Sequence, residues 1–460
     1  MEDDAPITLP TDAPNTTIEN ALKNARSSTY SSKLAVKPGK MLGDFITNAK
    51  LGSGRFAVVW GAYETERVHG YVGGAETAGS GTLCRINDRP VAIKVYRSGR
   101  TNMEYWRNEV KIFNLLNERA GMLNVKIPNV IEYFGTFAHV SFDDLLEPNV
   151  HPCIVFGRAG DSVSRLIKHC AKDLGAGIPI ECVKKITRDV LRGLAFIHES
   201  GLIHTDIKPS NFMIDRKIEE VVGLDFNVLI GDLGSSTPAN DLFSKHVGTV
   251  EYLAPELLLD HDYTSAIDIW ATFASCFEMI TGDQLFDVYH ENQITYGSDV
   301  DLEGLEGLIN NDVSSDSVPE LVCAMNSPGG KTCDGCDGCC GMDTNCSEGS
   351  VRDDSDDSSG SEDSEQVELS NYRHLLLIEK VIGPAPKGFW KVARKYYNSR
   401  GKLKNNPKVD PISISKLLDM NYNLDETANK TLEAFLLTGL RYEPGNRITA
   451  DAALKHPWLQ

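Results

Sequence analysis

Four polar side chains in two short stretches have the types and spacing that phosphoryl transfer requires. In HTDIKPSN, Asp206 could orient an attacking hydroxyl and Lys208 could place a cation near the transferred phosphate. In the same stretch Asn211, and in GDLG Asp232, offer the amide and carboxylate oxygens that would hold Mg²⁺. The competing interpretation is that these residues are polar side chains on solvent loops. The agreement of two separate motifs with residues further upstream disfavours it.

The upstream stretch LGSGRFAVVW is typical of a β-hairpin whose tip lies on a polyphosphate, because glycines place no side chain between backbone N–H groups and the phosphates. By itself it would be read as an ordinary tight turn. The later stretch VAIK supplies Lys94, which could reach the α and β phosphates, and Glu109 could pair with that lysine. The predicted contacts to the ligand that carries these phosphates are Leu51, Gly52, Ser53, Gly54, Val59, Ala92 and Lys94.

Two structural parts must position these residues. Residues 41–152 alternate short β-like runs, Ala57–Tyr63 and Pro90–Tyr96, with one helical period from Trp106 to Leu116, which indicates a small mixed domain. The Gly-rich residues 67–88 suit an enlarged surface loop. Residues 153–290 and 369–460 are dominated by helical periods, which indicates a larger helical domain. The expected fold class is therefore α+β.

An acidic segment, residues 291–368, divides the helical part. The chain has 460 residues and a net charge of −19. This segment contains 20 Asp and Glu residues against Lys331 and Arg352, a net of −18, so the remaining residues together carry about −1. The segment is expected to be a disordered insert, since its charge and serine content leave little to bury. A nucleic-acid binder would show a basic face or stripe, which the sequence does not indicate.

The insert contains a cysteine cluster and an acidic run, each with two interpretations. Cys333, Cys336, Cys339, Cys340 and Cys346 could bind zinc or remain unliganded thiols. The acidic run is either a solvated spacer or a segment that attracts basic partners or competes with a basic substrate. Ser359 and Ser361 precede acidic residues and could accept phosphate from acidophilic kinases.

The remaining composition bears on location. Residues 1–40 are rich in Thr, Ser, Asn and Pro and are expected to be a flexible leader without a secretory signal. The most apolar long window, Ile267–Ile280, contains two carboxylates and is too short to span a bilayer, so no membrane association is expected. The 11 cysteines are then expected as thiols or metal ligands in a reducing compartment.

With these motifs in place, the chain resembles a eukaryotic protein kinase over residues 45–459 apart from the insert, and within that superfamily it resembles the SR-protein kinases. The resemblance is carried by LGSGRFAVVW, HTDIKPSN, DIWATFASCFEMITGDQLF, and IEKVIGPAPKGFWKVARKYYNSRGKLK with the closing ALKHPWL. It implies a bilobal fold with a β-rich N-lobe and a mainly α-helical C-lobe. It also implies ATP and Mg²⁺ as cofactors, a monomer, a location in cytoplasm and nucleus, and serines of Arg/Ser-rich splicing factors as substrates. The stretch GTVEYLAPE matches the end of an activation segment, and Arg447 is a candidate buried partner for its Glu256.

Four residues differ from the pattern of most kinases or from that of the SR-protein kinases. Thr205 stands where most kinases have an Arg that binds an activation-loop phosphate, so activity independent of that phosphate is expected. Leu253 stands where the SR-protein kinases usually have Arg. Arg373 and Lys380 fall where those kinases have acidic docking residues, and their charge is expected to repel an Arg-rich peptide unless a one-residue shift brings in Glu379.

Two alternatives to an SR-protein kinase follow. A serine/threonine kinase of different specificity keeps the chemistry and changes the substrate. A pseudokinase scaffold that binds basic proteins is disfavoured, because such proteins typically lack at least one of the residues Lys94, Glu109, Asp206, Asn211 and Asp232.

Overall fold

The computed structural model describes residues 33–68, 83–142, 148–241, 247–288, 360–404, 411–421 and 426–460. The cysteine cluster and the acidic run before residue 360 lie outside the described residues, as do residues 1–32. Among the helices that the structure describes, none is both long and apolar enough to cross a membrane.

A six-stranded antiparallel sheet forms the N-terminal part. Its strands are β1 (Met41–Leu42), β2 (Phe45–Ser53), β3 (Ala57–Val68), β4 (Leu83–Tyr96), β5 (Tyr133–Phe142) and β6 (Pro148–Gly157). They lie in the order β1-β2-β3-β4-β6-β5. β3 and β4 are longer than predicted, because Arg67 and Val68 pair with Cys84 and Leu83. The predicted loop 67–88 was therefore too wide, and the part of it that is not strand, residues 69–82, lies outside the described residues.

The end of this sheet lies later than the sequence indicated. The predicted boundary after residue 152 falls inside β6, which pairs with β4 through Gly157. The boundary was wrong because the apolar run after it, CIVF, is a buried strand, and short apolar runs do not by themselves distinguish strand from helix.

One helix, α1 (Arg100–Leu123), packs against the sheet. Trp106, Val110 and Phe113, the predicted apolar stripe, are all buried. The helix extends well beyond the predicted Trp106–Leu116 and ends at Asn124, whose left-handed backbone (φ 52°) lets its N–H cap two carbonyls of the last turn.

The C-terminal part is mainly helical, as expected. Its helices are α2 (Val163–Leu174), α3 (Ile180–Glu199), α4 (Pro255–Leu258), α5 (Ala266–Thr281), α6 (Gly360–Ile382), α7 (Lys387–Val392), α8 (Ile414–Asn421), α9 (Glu426–Gly439) and α10 (Ala450–Ala453). Short strand pairs β7 (Leu202–Ile203) with β10 (Thr237–Pro238), and β8 (Phe212–Ile214) with β9 (Val228–Ile230), carry the loops of the site. α5 is buried on all sides and is the central helix of this part.

Two predicted segment boundaries need correction. α6 begins at Gly360, so the last residues of the predicted insert are helical. The length of α6 depends on the packing of its C-terminal half, where Leu375 and Ile378 are buried. The end of the predicted leader is also part of the fold. Leu34 and Val36 pack against the outer face of the sheet, where Val58 and Trp60 are buried.

Candidate active site

An ion pair connects the sheet to α1. The Lys94 ammonium on β4 lies 2.8 Å from Oε2 and 3.1 Å from Oε1 of Glu109. Glu109 is completely buried, and burial raises the pKa of its carboxyl despite the opposing charge of Lys94. This is the pair that VAIK and the helical period predicted, and its bidentate geometry fixes the direction of the ammonium.

Asp232 lies on the other side of the same ammonium, 2.8 Å from Lys94 Nζ. The positive charge of Lys94 lowers the pKa of Asp232 to about 2, so the group is a carboxylate at neutral pH. Burial disfavours the charged form of Lys94, but the carboxylates of Asp232 and Glu109 outweigh it and raise the pKa of Lys94 well above its usual value. About half of the Asp232 side chain is exposed, so it remains accessible to a cation.

The loop between β7 and β8 positions the predicted catalytic carboxylate. One oxygen of Asp206 lies 2.8 Å from the Lys208 ammonium, and the other accepts a 2.7 Å hydrogen bond from the hydroxyl of Thr249. Lys208 in turn donates to that hydroxyl at 2.7 Å. A threonyl hydroxyl therefore lies against Asp206 just as an acceptor hydroxyl would have to lie in order to be oriented by it.

Asn211 is held by the same loop. Its amide nitrogen donates to the main-chain oxygen of Asp206 at 2.8 Å and to the Asp206 carboxylate at 3.3 Å. With the nitrogen turned toward Asp206, the amide oxygen is the atom left for a cation. One amide oxygen and the carboxylate of Asp232 form the oxygen donor set that hard divalent cations prefer, so these residues fit a divalent metal.

A buried carboxylate holds the loop in shape. Asp268, at the start of α5, accepts hydrogen bonds from the backbone N–H groups of His204 and Thr205, both at 2.8 Å. Thr205 has a φ of 74°, which a β-branched residue rarely adopts. Its hydroxyl donates to the carbonyl of Ser235 at 3.0 Å. Thr205 therefore anchors the loop to the segment after Asp232, as a short polar tether where most kinases have a guanidinium.

The predicted nucleotide contacts lie on the β2–β3 hairpin and on β4. Gly52 is paired with Val59 and Ser53 with Val58, and the N–H of Gly54 donates to Ala57 across the turn at 2.8 Å. Apart from the neighbours of Gly52 in the chain, none of the described residues comes within 4 Å of the position that a Cβ at Gly52 would occupy, which leaves that backbone open to a ligand. Leu51 is partly exposed, whereas Ala92 is buried beside Lys94 on β4.

Two aromatic residues that the sequence did not indicate also belong to the site. Phe56, at the tip of the hairpin, stacks on Tyr105 of α1 with ring centroids 3.9 Å apart. Tyr96, two residues after Lys94, donates its hydroxyl to Glu109. Neither has a signal in the sequence, because an aromatic residue on a strand or helix is usually part of a core.

Three of these differing residues, Leu253, Lys380 and Arg373, occupy different environments. Leu253 and Tyr252 line a cavity beside Asp206 and Thr205. Lys380 is buried, so the expected repulsion of a peptide by its charge is wrong; an amphipathic helix turns this position inward. Arg373 is half-buried, and so is Glu379, whose Oε1 accepts the N–H of Ala385 at 3.4 Å.

The predicted architectural pair is confirmed. Arg447 donates from both terminal nitrogens to the two oxygens of Glu256, each at 2.6 Å, and both side chains are buried. The guanidinium also donates to the carbonyl oxygens of Ala266 and Tyr442. The end of the activation segment is thus tied to the C-terminal helices.

Comparisons with known proteins agree with this geometry. Residues 74–328, more than half of the chain, match the model of the protein kinase domain. The chain is 24% identical to "Serine/threonine-protein kinase SRPK" of Physarum polycephalum, over 89% of this chain and 84% of that protein. It is 22% identical to "Probable serine/threonine-protein kinase clkA" of Dictyostelium discoideum over 83% of this chain, but spans only 35% of that protein. The described catalytic-loop residues, Lys94 and Glu109 all lie inside the matched range.

Proposed function

The chain belongs to the protein kinase family and is a serine/threonine protein kinase; from that premise we propose that it uses Mg²⁺ with ATP and phosphorylates serines of Arg/Ser-rich proteins such as splicing factors. The observation that carries the chemistry is the contact of Asp206 with Lys208 and with the hydroxyl of Thr249. The substrate class rests on the resemblance to SR-protein kinases and on the Physarum relative.

Each site residue has its own role in this reaction. Lys94, aimed by Glu109, binds the nucleotide phosphates. Asp206 accepts a hydrogen bond from the substrate hydroxyl and orients its oxygen toward the γ-phosphate, while Lys208 neutralises charge on the transferred group. A divalent cation held by Asn211 and Asp232 would supply charge neutralisation at the phosphates.

The first prediction concerns these catalytic groups. Asp206→Asn keeps the shape of the side chain but loses the charge that orients the hydroxyl, so kcat should fall by about 10²–10⁴-fold. Lys94→Met should also abolish most activity, because the phosphates lose their cation. The measurement is incorporation of the γ-phosphate into a Ser peptide by purified enzyme. The double variant Lys172→Met/Asp173→Asn, on the exposed surface of α2, is the matched control and should remain active. Full activity of Asp206→Asn would contradict the assignment.

A second candidate, a kinase of different specificity, is favoured by one surface. Residues 394–404, all of them described and lying after α7, include five exposed cations and no carboxylate; we refer to Arg394, Lys395, Arg400, Lys402 and Lys404 as the basic surface. Lys402 and Lys404 flank the buried Leu403 on a hairpin arm and therefore point to the opposite, solvent side. The hydroxyl of Tyr372 donates to Lys404 O at 2.7 Å and fixes this arm to α6. Such a surface suits acidic rather than Arg-rich segments.

A peptide array distinguishes the two candidates. An Arg/Ser specificity predicts the highest rates for serines flanked by arginine, with Lys402→Glu/Lys404→Glu leaving KM unchanged or lower. A specificity set by the basic surface predicts the highest rates for serines flanked by acidic residues, and a KM raised about tenfold or more by the same charge reversal. Lys172→Glu/Lys416→Glu, which changes the net charge equally on exposed helix positions, is the control. The location in cytoplasm and nucleus stays a prediction.

A further inference from the structure

Tyr96 is buried next to the Lys94–Glu109 ion pair. It follows Lys94 by two residues on β4, so both side chains extend from the same face of the strand. The Tyr96 hydroxyl donates to Oε2 of Glu109, and the ammonium of Lys94 lies 5.3 Å from the centre of the Tyr96 ring. Tyr96 is only 1% exposed, so water does not compete for these contacts.

The hydrogen bond from Tyr96 gives the Glu109 carboxylate a second donor in addition to the Lys94 ammonium. The Lys94 ammonium contacts both oxygens of Glu109, at 2.8 and 3.1 Å, but both contacts come from a single nitrogen atom. The hydroxyl of Tyr96 adds a second donor, from a different side chain, to Oε2. A buried carboxylate is stabilised and oriented by each donor it gains, because the surrounding protein screens the interaction poorly.

Tyr96 is itself rigidly placed. It pairs with Ala57 in the sheet, and its carbonyl oxygen lies 3.2 Å from Nδ1 of the buried His151 on β6. On the other side, a Cβ at Gly234 would lie 3.7 Å from both the Tyr96 hydroxyl and Oε2 of Glu109, so the GDLG turn packs close to this hydrogen bond. Three parts of the site, β4, α1 and the turn after Asp232, therefore meet at one hydroxyl.

We propose that Tyr96 is a positioning residue for phosphoryl transfer, whose hydroxyl holds the Glu109 carboxylate in the orientation that aims Lys94 at the nucleotide phosphates. The inference rests on the kinase activity of this chain. Burial and the charge of Glu109 raise the pKa of Tyr96 well above its usual value, so the hydroxyl keeps its proton and remains a donor at any physiological pH.

Tyr96→Phe tests this proposal, since it removes one oxygen and keeps the ring. The kcat/KM for ATP should fall by about tenfold, the effect of losing a hydrogen bond to a charged group. The KM for the protein substrate should not change. The matched control is Tyr133→Phe. Tyr133 stacks on Phe113 in the same part of the molecule, and among the contacts the structure describes it makes no hydrogen bond to Glu109. Its activity should remain within about twofold of the unmodified enzyme.

A double-mutant cycle separates positioning from a general loss of packing. If Tyr96 acts through Glu109, then Tyr96→Phe should have little further effect on kcat/KM in a Glu109→Gln background. Equal losses in both backgrounds, or an equal loss in Tyr133→Phe, would overturn the proposal. Thermal unfolding of each variant verifies that rates refer to folded protein. Unmodified enzyme without activity would instead count against the kinase assignment, so the two failures are distinguishable.

Discussion

At the scale of single residues, Thr205 has a strained backbone conformation and lacks the guanidinium charge that most kinases have at this position. A β-branched residue at φ 74° costs of order 1–3 kcal/mol and persists only where its surroundings hold it. The carboxylate of Asp268 does so, by accepting hydrogen bonds from the backbone N–H groups of both His204 and Thr205. The loop before Asp206 is therefore shaped by contacts made inside the protein.

It follows that phosphorylation of the activation segment should not be needed for activity. Enzyme produced in bacteria should keep its kcat, within about twofold, after phosphatase treatment, because Thr205 has no guanidinium to bind a phosphate. The measurement is the initial rate before and after treatment, with mass spectrometry to verify removal of phosphate. A loss of tenfold or more would show that another cation of the fold performs this role.

At the scale of elements, α5 positions two loops at once. Asp268 at its start holds the catalytic loop, and Glu278 near its end accepts a 2.5 Å hydrogen bond from Tyr252 of the activation segment. Burial raises the pKa of Glu278 to about 7 despite this hydrogen bond, and the carboxylates of Glu251 and Asp283 add to the rise. The helix thus carries a carboxyl that titrates near neutral pH.

The raised pKa of Glu278 determines how the stability of the protein changes with pH. In unfolded chains the Glu278 carboxyl ionises near 4.5, whereas in the folded protein it keeps its proton to about pH 7. Folded protein therefore binds more protons across this window, and its free energy of unfolding falls as the pH rises from about 4.5 to 7. Glu278→Gln has no ionisable group at this position, so its stability does not depend on this titration. The unmodified protein should therefore lose stability relative to the variant between pH 5 and 7.5. Denaturant unfolding at several pH values measures it; a difference independent of pH would contradict the assigned shift.

The elements also show what sequence reasoning can and cannot reach. Asp206, Lys208, Asn211 and Asp232 could be located because their spacing within short loops is dictated by the chemistry. Contacts such as Phe56 with Tyr105 could not, since they depend on how a hairpin tip meets a helix far along the chain. The strand end at Gly157 and the helix start at Gly360 were misjudged for a related reason: tertiary packing extends elements beyond their local pattern.

At the scale of the whole molecule, the Glu256–Arg447 pair joins the activation segment to the last helices, 191 positions apart in the chain. Arg447→Met should lower the free energy of unfolding by about 3–5 kcal/mol, because it leaves the buried Glu256 charge without its partner. Replacing both residues with apolar side chains should cost less. Denaturant unfolding of the single and double variants measures this, and equal losses in the two would indicate that packing rather than charge is responsible.

Residues 33–40, which precede the sheet, affect how this protein can be prepared. Leu34 and Val36 cover apolar side chains, among them Trp60, on the outer face of the N-lobe. A shortened version that begins at Met41 would expose these apolar side chains to solvent and to contact with other copies of the protein. The shortened protein should aggregate when it is concentrated, and its tryptophan emission should shift to longer wavelength, even though every catalytic group would still be present.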